Sequence, residues 1–508
     1  MVVYEIVKFN NYNINVKIIF MKRIIDRVAR LWKYHKWLII ILVIAFSFYS
    51  TVSILKHVHF YSTAYDLSIF DQAVRGYSEF RSPESALRGY DNLLGDHFHP
   101  ILVLLAPLYW INDSPVTLLL AQSALVCFTA IPIYLFAIKK LKSKKRALLI
   151  VVIFLFNAAI MRMVRFDFHE VAFALPAISW GLYAIYSKKW SIYVVSMIAL
   201  LLTKEDLALL VVTFGLLLLL LHEYKKGAAT IIAGLVSFAV IIKWAIPLFA
   251  GRQYRGYSYW SYSSLGGNFF EAVVYLITHP WKILTELLLP KVKILTMIKS
   301  IAPFLGLVFF SPIIVLAVPL VAERFYSDNS NYWEFTAHYG ATLSVVLVFS
   351  LVEGLPRLKR LIRRHKRLSW RLVKSLGDGA LCLMAFAAVV TAIVLPTRTE
   401  FPSYRIFTPS AYTLTSFEKS GYAAIKSVQN SDSVVCTTNN IAPHFQQRNT
   451  VLVDRNYMNL DCDYIVTSSG ELEFNNTKEV KRAIVDECTR KKCSKVYDDM
   501  GWSVLRLY

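Results

Sequence analysis

The chain has 508 residues, of which 56% are hydrophobic and 14% aromatic, and its mean hydropathy is +0.46. This apolar content, concentrated in runs such as LALLVVTFGLLLLLLH, excludes an ordinary soluble globule and predicts a polytopic membrane protein. The net charge of +22 would suggest nucleic acid in a soluble protein, but here Lys and Arg cluster in short segments between apolar runs. That pattern is typical of cytoplasmic loops facing anionic lipid, so we expect membrane lipids as partners and no nucleic acid.

The chain opens with a basic segment, residues 1–36, ahead of the first apolar run at residues 37–55. The positive-inside rule therefore places the N-terminus in the cytoplasm and residues 56–99 in a long first outer loop. The polytopic transmembrane domain is expected over residues 37–396. Its predicted spans are 37–55, 115–138, 147–160, 171–186, 192–203, 207–221, 228–249, two short passes within 294–321, 341–355 and 380–396, about eleven in all.

The first outer loop begins with YDLSIFDQAVRG and ends with GDHFHP. Ionisable groups so close to apolar spans are costly unless they lie in a wet cavity, so they are functional-site candidates. Asp66 and Asp71 are candidate catalytic carboxylates, suited to act as a general base, as ligands of a divalent cation (Mg²⁺ or Mn²⁺), or in an ion relay. Asp96, His97 and His99 are candidate binding residues, and for the two histidines hydrogen bonding to a phosphate or carboxylate is favoured over metal ligation.

Three later clusters interrupt the apolar runs in the same way. They are RFDFHE with Arg165, Asp167, His169 and Glu170, TKED with Lys204, Glu205 and Asp206, and NYWEFTAHY with Glu334 and His338. When the basic loops are assigned to the cytoplasm, all four clusters reach the outer face. The alternative is structural: RFDFHE would mark a helix end, and TKED would be a self-neutralising ion-pair turn.

The polar tail, residues 397–508, predicts a small extracytoplasmic α/β domain. VVCTTNNIAPHF and DYIVTSS resemble strands and turns, while EVKRAIVDECTRK has helical spacing. Four cysteines in such a tail predict at least one disulfide in an oxidising compartment, with Cys488–Cys493 feasible as a local pair, although the pairing is not fixed. They are Cys436, Cys462, Cys488 and Cys493.

The segments YDLSIFDQAV, GDHFHPILVLLAPLY, RFDFHEVAFALP and TKEDLALLV, in this order, resemble the predicted membrane proteins grouped as domain of unknown function 2079. HYGATL and APHFQQR extend the resemblance over about residues 50–470. That family is similar in layout to the GT-C glycosyltransferases, which implies a transmembrane helical bundle and a polyprenyl-phosphate sugar as donor. The chain departs from the family where a serine often replaces the second His of HFHP, which weakens a metal role for His99.

The resulting hypothesis is a mainly α, GT-C-like membrane glycosyltransferase that takes a sugar from a polyprenyl-phosphate donor at the outer face. Asp66 or Asp71 would activate a glycan, lipid or protein acceptor. The candidates to stabilise the lipid phosphate are Lys204, Arg165, His97 and His99. The alternatives are a transporter or lipid flippase, in which the carboxylates relay ions or protons, and a non-catalytic assembly protein.

Overall fold

The structure is a computed structural model that is mainly helical, with one small sheet near the C-terminus. It divides into two compact units, Met1–Ser47 and Phe48–Tyr508. The described residues are 2–254, 256–257, 259–335, 338–364, 370–394, 401–428, 433–445, 450–452, 462–469, 484–485 and 488–508.

Most of the chain is built from helices joined by short 3₁₀ turns, π-turns and loops. The α-helices are α1 (Val2–Val58), α2 (Ile69–Ser78), α3 (Ala106–Tyr109), α4 (Val116–Leu141), α5 (Lys144–Leu155), α6 (Ala158–Arg165), α7 (Ala174–Ser187), α8 (Trp190–Leu201), α9 (Leu207–Leu220), α10 (Tyr224–Val240), α11 (Ile246–Ala250), α12 (Phe269–Thr278), α13 (Pro280–Leu288), α14 (Lys291–Ile301), α15 (Ala317–Phe325), α16 (Ser330–Trp333), α17 (Ala341–Arg364), α18 (Trp370–Val394) and α19 (Ser416–Lys426). The strands are β1 (Val435–Thr437), β2 (Thr450–Leu452), β3 (Tyr464–Ser468), β4 (Cys493–Asp499) and β5 (Trp502–Leu507).

In the described part of the chain, five helical segments are long and apolar enough to cross a membrane: Trp32–Val58, Val116–Leu141, Tyr224–Ala250, Ala341–Leu361 and Gly377–Val394. The pair α5 and α6, bent by 46°, makes a sixth if it is one span. Other apolar runs form shorter helices such as α8 and α9. The fourteen residues of α9 rise only about 21 Å, which is less than the thickness of a hydrocarbon core of about 30 Å. The predicted membrane bundle is therefore confirmed, whereas the count of about eleven spans is not.

The centre of the second unit is formed by α17, which packs against α4, α5 and α7. In the apolar stretch of α17, 83% of the residues are buried, and Val345, Val348 and Phe349 are among them. In the segment Tyr224–Ala250, which contains α10, only 22% of the apolar stretch is buried. The peripheral helix α10 pairs with α9 at close range. A Cβ atom at Gly215 would run into the backbone of α10 at Gly227, so glycine is required for this approach.

The sheet has the order β2-β1-β3-β5-β4; β1 is parallel to β2 and β3, and β5 is antiparallel to β3 and β4. Helix α19 packs on it, and the small α/β architecture predicted for the tail is present. Disulfides join Cys436 to Cys462 and Cys488 to Cys493, which confirms the predicted bridge and fixes the pairing. The domain boundaries at residues 36 and 396 stay predictions, and residues 446–448 of APHFQQR lie outside the described residues.

Candidate functional site

The turn that carries Asp66 is held in place by Asp167. After α1 ends, the chain enters a π-turn at Ala64–Ser68, which continues directly into α2. Just before that turn, the Thr63 amide and hydroxyl groups each donate to Oδ2 of Asp167 at 2.8 Å. Oδ1 of Asp167 accepts from Lys56 Nζ, also at 2.8 Å. The acid of the second motif thus fixes the backbone on which the first motif presents Asp66.

A histidine–carboxylate cluster, defined as Asp66, His99, His169, Glu170 and His338, lies beside this turn. Oδ1 of Asp66 is 3.8 Å from Nε2 of His169, and Oε2 of Glu170 is 2.7 Å from Nδ1 of the same ring. The ring of His169 stacks on that of His338, with centroids 3.7 Å apart. Phe70 meets both His99 and His169 edge to face. The structure therefore brings the first, second and fourth motifs together.

Protonation in this cluster is set mainly by burial. Burial, together with the nearby carboxylates Asp167 and Glu170, raises the pKa of Asp66 to about 8. Burial and the Lys204 charge lower the pKa of His169 well below its ordinary value, and burial and His169 do the same for His338. Asp66 thus titrates near neutral pH, next to two neutral imidazoles.

Lys204 of the third motif, TKED, lies next to this cluster. Its Nζ lies 3.9 Å from Oε1 of Glu170 and 3.6 Å from Oδ2 of Asp206. Burial disfavours its charge, but the adjacent carboxylates outweigh burial and raise its pKa well above the ordinary value. Glu323 of α15 lines the same cavity as Asp206, and burial together with the Asp206 charge raises the pKa of Glu323 well above its ordinary value.

A charged hydrogen-bond network ties the 56–99 loop to the segment between α11 and α12. Oε1 of Glu205 lies 2.6 Å from Nδ1 of His97 and accepts from the Tyr257 hydroxyl at 2.9 Å. The ring of His97 stacks on Tyr259, whose hydroxyl donates to Asp96 at 2.7 Å. Burial acts to raise the pKa of Glu205, but His97 and Lys204 bring it well below the usual range. Burial acts to lower the pKa of His97, yet Glu205 raises it above the usual value.

Between these elements lies a cavity of about 220 Å³ whose lining is part polar and part apolar. The polar lining residues include His97, Lys204, Asp206, Tyr257, Tyr259, Tyr262, Glu323 and Tyr332. The apolar lining residues include Leu207, Leu210, Phe238, Phe269, Ala272, Val273, Leu276 and Leu320. Two of the apolar residues, Phe269 and Val273, remain 40% and 38% exposed. The cavity can receive a molecule with a polar head and a hydrocarbon tail.

Four predicted site residues have their contacts elsewhere. Asp71 is buried and accepts from Tyr109 at 2.7 Å and from Arg75 at 3.3 Å. Arg165 is fully buried and reaches Ser403 Oγ at 3.4 Å. Asp167 anchors the turn described above, and Glu334 contributes its backbone oxygen, which accepts from the Arg324 guanidinium.

The sequence analysis missed Glu323 and the tyrosines of the cavity lining, which include Tyr257, Tyr259 and Tyr262. Glu323 follows the apolar stretch AVPLVA, and an acid at such a boundary is the same signal that marked the other clusters. Tyr257, Tyr259 and Tyr262 belong to a Tyr-rich segment between α11 and α12, and all three line the cavity. Their hydroxyl partners are distant in the chain, so spacing alone does not reveal them.

The donor set does not fit a resident Mg²⁺ or Mn²⁺. The Lys204 ammonium lies between the carboxylates of Glu170 and Asp206, where a bound cation would compete with it. Within the ranges that the structure describes, no group of three or more His, Cys, Asp or Glu side chains is arranged to hold a metal ion. No step proposed below uses a metal.

Fold and site together define an integral-membrane protein with a cavity of mixed polar and apolar lining and an acid–histidine cluster that adjoins it through Lys204. The chain belongs to the family described as "Predicted membrane protein (DUF2079)", whose model matches residues 56–505, and the predicted membership is confirmed. No curated protein gave a significant match. Among solved structures, the chain is similar to ArnT from Cupriavidus metallidurans, solved bound to undecaprenyl phosphate, with 11% identity and a TM-score of 0.48. The alignment covers 93% of this chain and 98% of that one.

Proposed function

We propose that the protein is a membrane glycosyltransferase that takes a sugar from a polyprenyl-phosphate donor at the outer membrane face. The observation that carries the proposal is the cavity, whose lining combines the Lys204 ammonium and other polar groups with apolar side chains such as Leu210, Phe269 and Val273. A polyprenyl phosphate has the matching chemistry, because its hydrocarbon chain suits the apolar side chains and its phosphate suits an ammonium group.

The lipid phosphate is the leaving group in this reaction, so the negative charge that develops on it must be stabilised. Lys204 supplies a fixed positive charge in a partly buried site, where electrostatic stabilisation is stronger than in water. His97 is held by Glu205 at 2.6 Å and contributes to the same wall. Asp167 is assigned to supporting the fold because it binds Thr63 and Lys56, and Arg165 because it is fully buried and reaches Ser403.

Asp66 is the proposed general base. Its side chain is 19% exposed, its pKa is raised to about 8, and it stands next to His169. An effective base has a pKa near the working pH. The acceptor hydroxyl oxygen forms a bond to the anomeric carbon while the bond from that carbon to the phosphate oxygen breaks. The lipid phosphate leaves with the electron pair, and the hydroxyl proton passes to Asp66.

The experiment supplies purified protein with labelled polyprenyl-phosphate sugars and a membrane glycan extract, and follows both the sugar and the lipid. Transfer of label with release of lipid phosphate supports a transferase. A flippase would move the intact lipid between leaflets without cleaving it, so intact donor on the opposite leaflet would favour that alternative.

A further inference from the structure

Helices α1 and α2 end in the same way, each with a phenylalanine in the left-handed conformation. After α1, the amide of Tyr61 donates to the carbonyl of Lys56 at 3.0 Å, which closes a Schellman motif. Phe60 takes the left-handed position of this motif, with a φ of 60°. Glycine is usual there, because a Cβ atom strains the backbone. Phe80 holds the same position after α2, with a φ of 58°.

The two phenylalanines have opposite surroundings. Phe80 is 86% exposed, whereas Phe60 is 1% exposed. The ring of Phe60 enters the core of the α/β tail, a name used here for α19, β1–β5 and the described residues between them. Its centroid lies 4.1 Å from that of His444, and 5.0 and 5.1 Å from those of Tyr422 and Trp502. This burial offsets the strained backbone, so Phe60 joins the α/β tail to the end of α1.

Hydrogen bonds reinforce the joint. The last carbonyl groups of a helix have no partner within the helix. At the end of α1, the Val58 carbonyl accepts from the Tyr422 hydroxyl at 3.0 Å. The Phe60 carbonyl accepts from Nδ2 of Asn440 at 2.9 Å. The α/β tail thus supplies partners that the end of α1 would otherwise lack.

The docked tail also reaches the turn that carries Asp66. The first residue of this π-turn is Ala64, whose amide donates to Asn439, both to the backbone oxygen and to Oδ1, at 2.9 Å. The amide before it, that of Thr63, donates to Asp167. Because the first amides of a helical segment have no acceptor within it, the turn is held from outside on both counts. One of its two anchors belongs to the α/β tail.

We propose that Phe60 and Asn439 are positioning residues: Phe60 docks the α/β tail onto α1, and Asn439 of the docked tail holds the turn that presents Asp66. This inference rests on the proposed function, because the catalytic task of Asp66 comes from it. Both residues act through Asp66, and the α/β tail is part of the support of the active site rather than a separate module.

The test compares Phe60→Gly with Phe80→Gly in the full-length protein in nanodiscs. Both substitutions relieve the same backbone strain, but only Phe60→Gly removes a ring from the core of the α/β tail. Hydrogen exchange of the Ala64 amide should become about tenfold faster or more in Phe60→Gly and should not change in Phe80→Gly. Equal exchange rates in the two variants would overturn the proposal, because Phe60 would then do no more than end a helix.

Sugar transfer is the second readout. In Phe60→Gly, kcat per folded molecule should fall about tenfold or more, because the base is no longer held in place. The KM for a polyprenyl-phosphate hexose should stay close to the wild-type value, since Lys204 is unchanged. Phe60→Leu keeps an apolar side chain in the pocket and should recover part of kcat. A purely structural role would lower the folded fraction and leave kcat per folded molecule unchanged, which would overturn the proposal.

Asn439→Ala tests the second contact and does not depend on whether Phe60→Gly folds. It removes the side-chain oxygen that accepts from the Ala64 amide, while the backbone oxygen stays. Exchange of that amide should therefore rise about threefold, the scale of one modest hydrogen bond, and kcat should fall by a similar factor. Wild-type exchange and wild-type kcat in Asn439→Ala would overturn the role of Asn439.

Failure of this inference and failure of the proposed function give different results. If the wild type transfers sugar and Phe60→Gly does so at the same rate per folded molecule, the transferase stands and the positioning role is lost. If exchange at Ala64 follows the expected pattern but the wild type transfers no sugar, the docking stands. The catalytic task of the turn then falls with the proposed function.

Discussion

Oδ1 of Asp66 and Nε2 of His169 lie 3.8 Å apart, although one belongs to the 56–99 loop and the other to the turn after α6. That separation is too long for a hydrogen bond and short enough for strong electrostatic coupling. Since His169 is kept neutral by burial and Lys204, it does not supply the cation that would ionise Asp66. This relationship explains why Asp66 is set up to accept a proton near neutral pH.

The first prediction concerns the pH dependence of sugar transfer. A base must be ionised to act, and Asp66 ionises through about pH 8. We therefore expect kcat/KM to rise roughly tenfold per pH unit below that value and to level above it. The rising limb should be missing from the residual activity of Asp66→Asn. A rate that is independent of pH from 6 to 9 in the wild type would contradict the assignment.

The second prediction separates the two acids of the first motif. Asp71 is buried and accepts hydrogen bonds from Tyr109 and Arg75, whereas the Asp66 side chain is 19% exposed and lies 3.8 Å from His169. Asp71→Asn should therefore destabilise the protein by about 1–3 kcal/mol, the cost of weakening buried charge-assisted hydrogen bonds. Thermal unfolding measures the loss, and turnover per folded molecule checks that chemistry is retained. A large loss of turnover without a loss of stability would return Asp71 to the catalytic site.

The third prediction concerns the phosphate contact. Lys204→Met keeps the length of the side chain and removes its charge, so affinity for the lipid donor should fall about tenfold or more. Lys204→Arg is the matched control, because it keeps a positive charge and should retain most of the affinity. Equal binding by wild type and Lys204→Met would remove the lysine from donor recognition.

The fourth prediction tests topology, which remains an expectation from the basic loops. A cysteine at Gly76 in the 56–99 loop would collide with the Ser82 carbonyl, so the probe in this loop is placed at Glu84. Glu84→Cys should react with an impermeant maleimide in intact cells, whereas Lys225→Cys should react only after permeabilisation. Both variants are made in a Cys382→Ala background, because that native thiol is exposed. The opposite pattern would reverse the orientation. His365, another site suggested by the basic loops, lies outside the described residues.

Much of the site could be predicted from the sequence because charge next to apolar runs is costly and therefore conspicuous. Asp66, His169, Lys204 and His338 were chosen on that ground, and the structure brings them together. Asp71 met the same criterion, because the local sequence pattern does not show that Arg75 and Tyr109 donate hydrogen bonds to its carboxylate.

The remaining differences arise from packing over long range. The predicted span number is not confirmed, because apolar composition marks burial inside protein as well as in lipid, and α9 is largely buried against neighbouring helices. Glu323 was passed over because its significance depends on Asp206, more than a hundred residues earlier in the chain. The number of cysteines in the tail was enough to predict a disulfide there. Only the fold shows that Cys436 pairs with Cys462.

The most direct test of the central claim is the release of lipid phosphate by wild-type protein and by Asp66→Asn. Purified protein receives polyprenyl-phosphate sugar and acceptor extract at pH 8, and the released lipid is quantified per folded molecule. Asn preserves the size of the side chain but cannot take up the proton, so release should fall roughly a hundredfold or more, with membrane insertion and donor binding intact. Full wild-type turnover in Asp66→Asn would contradict the account, because the acid–histidine cluster would then be structural.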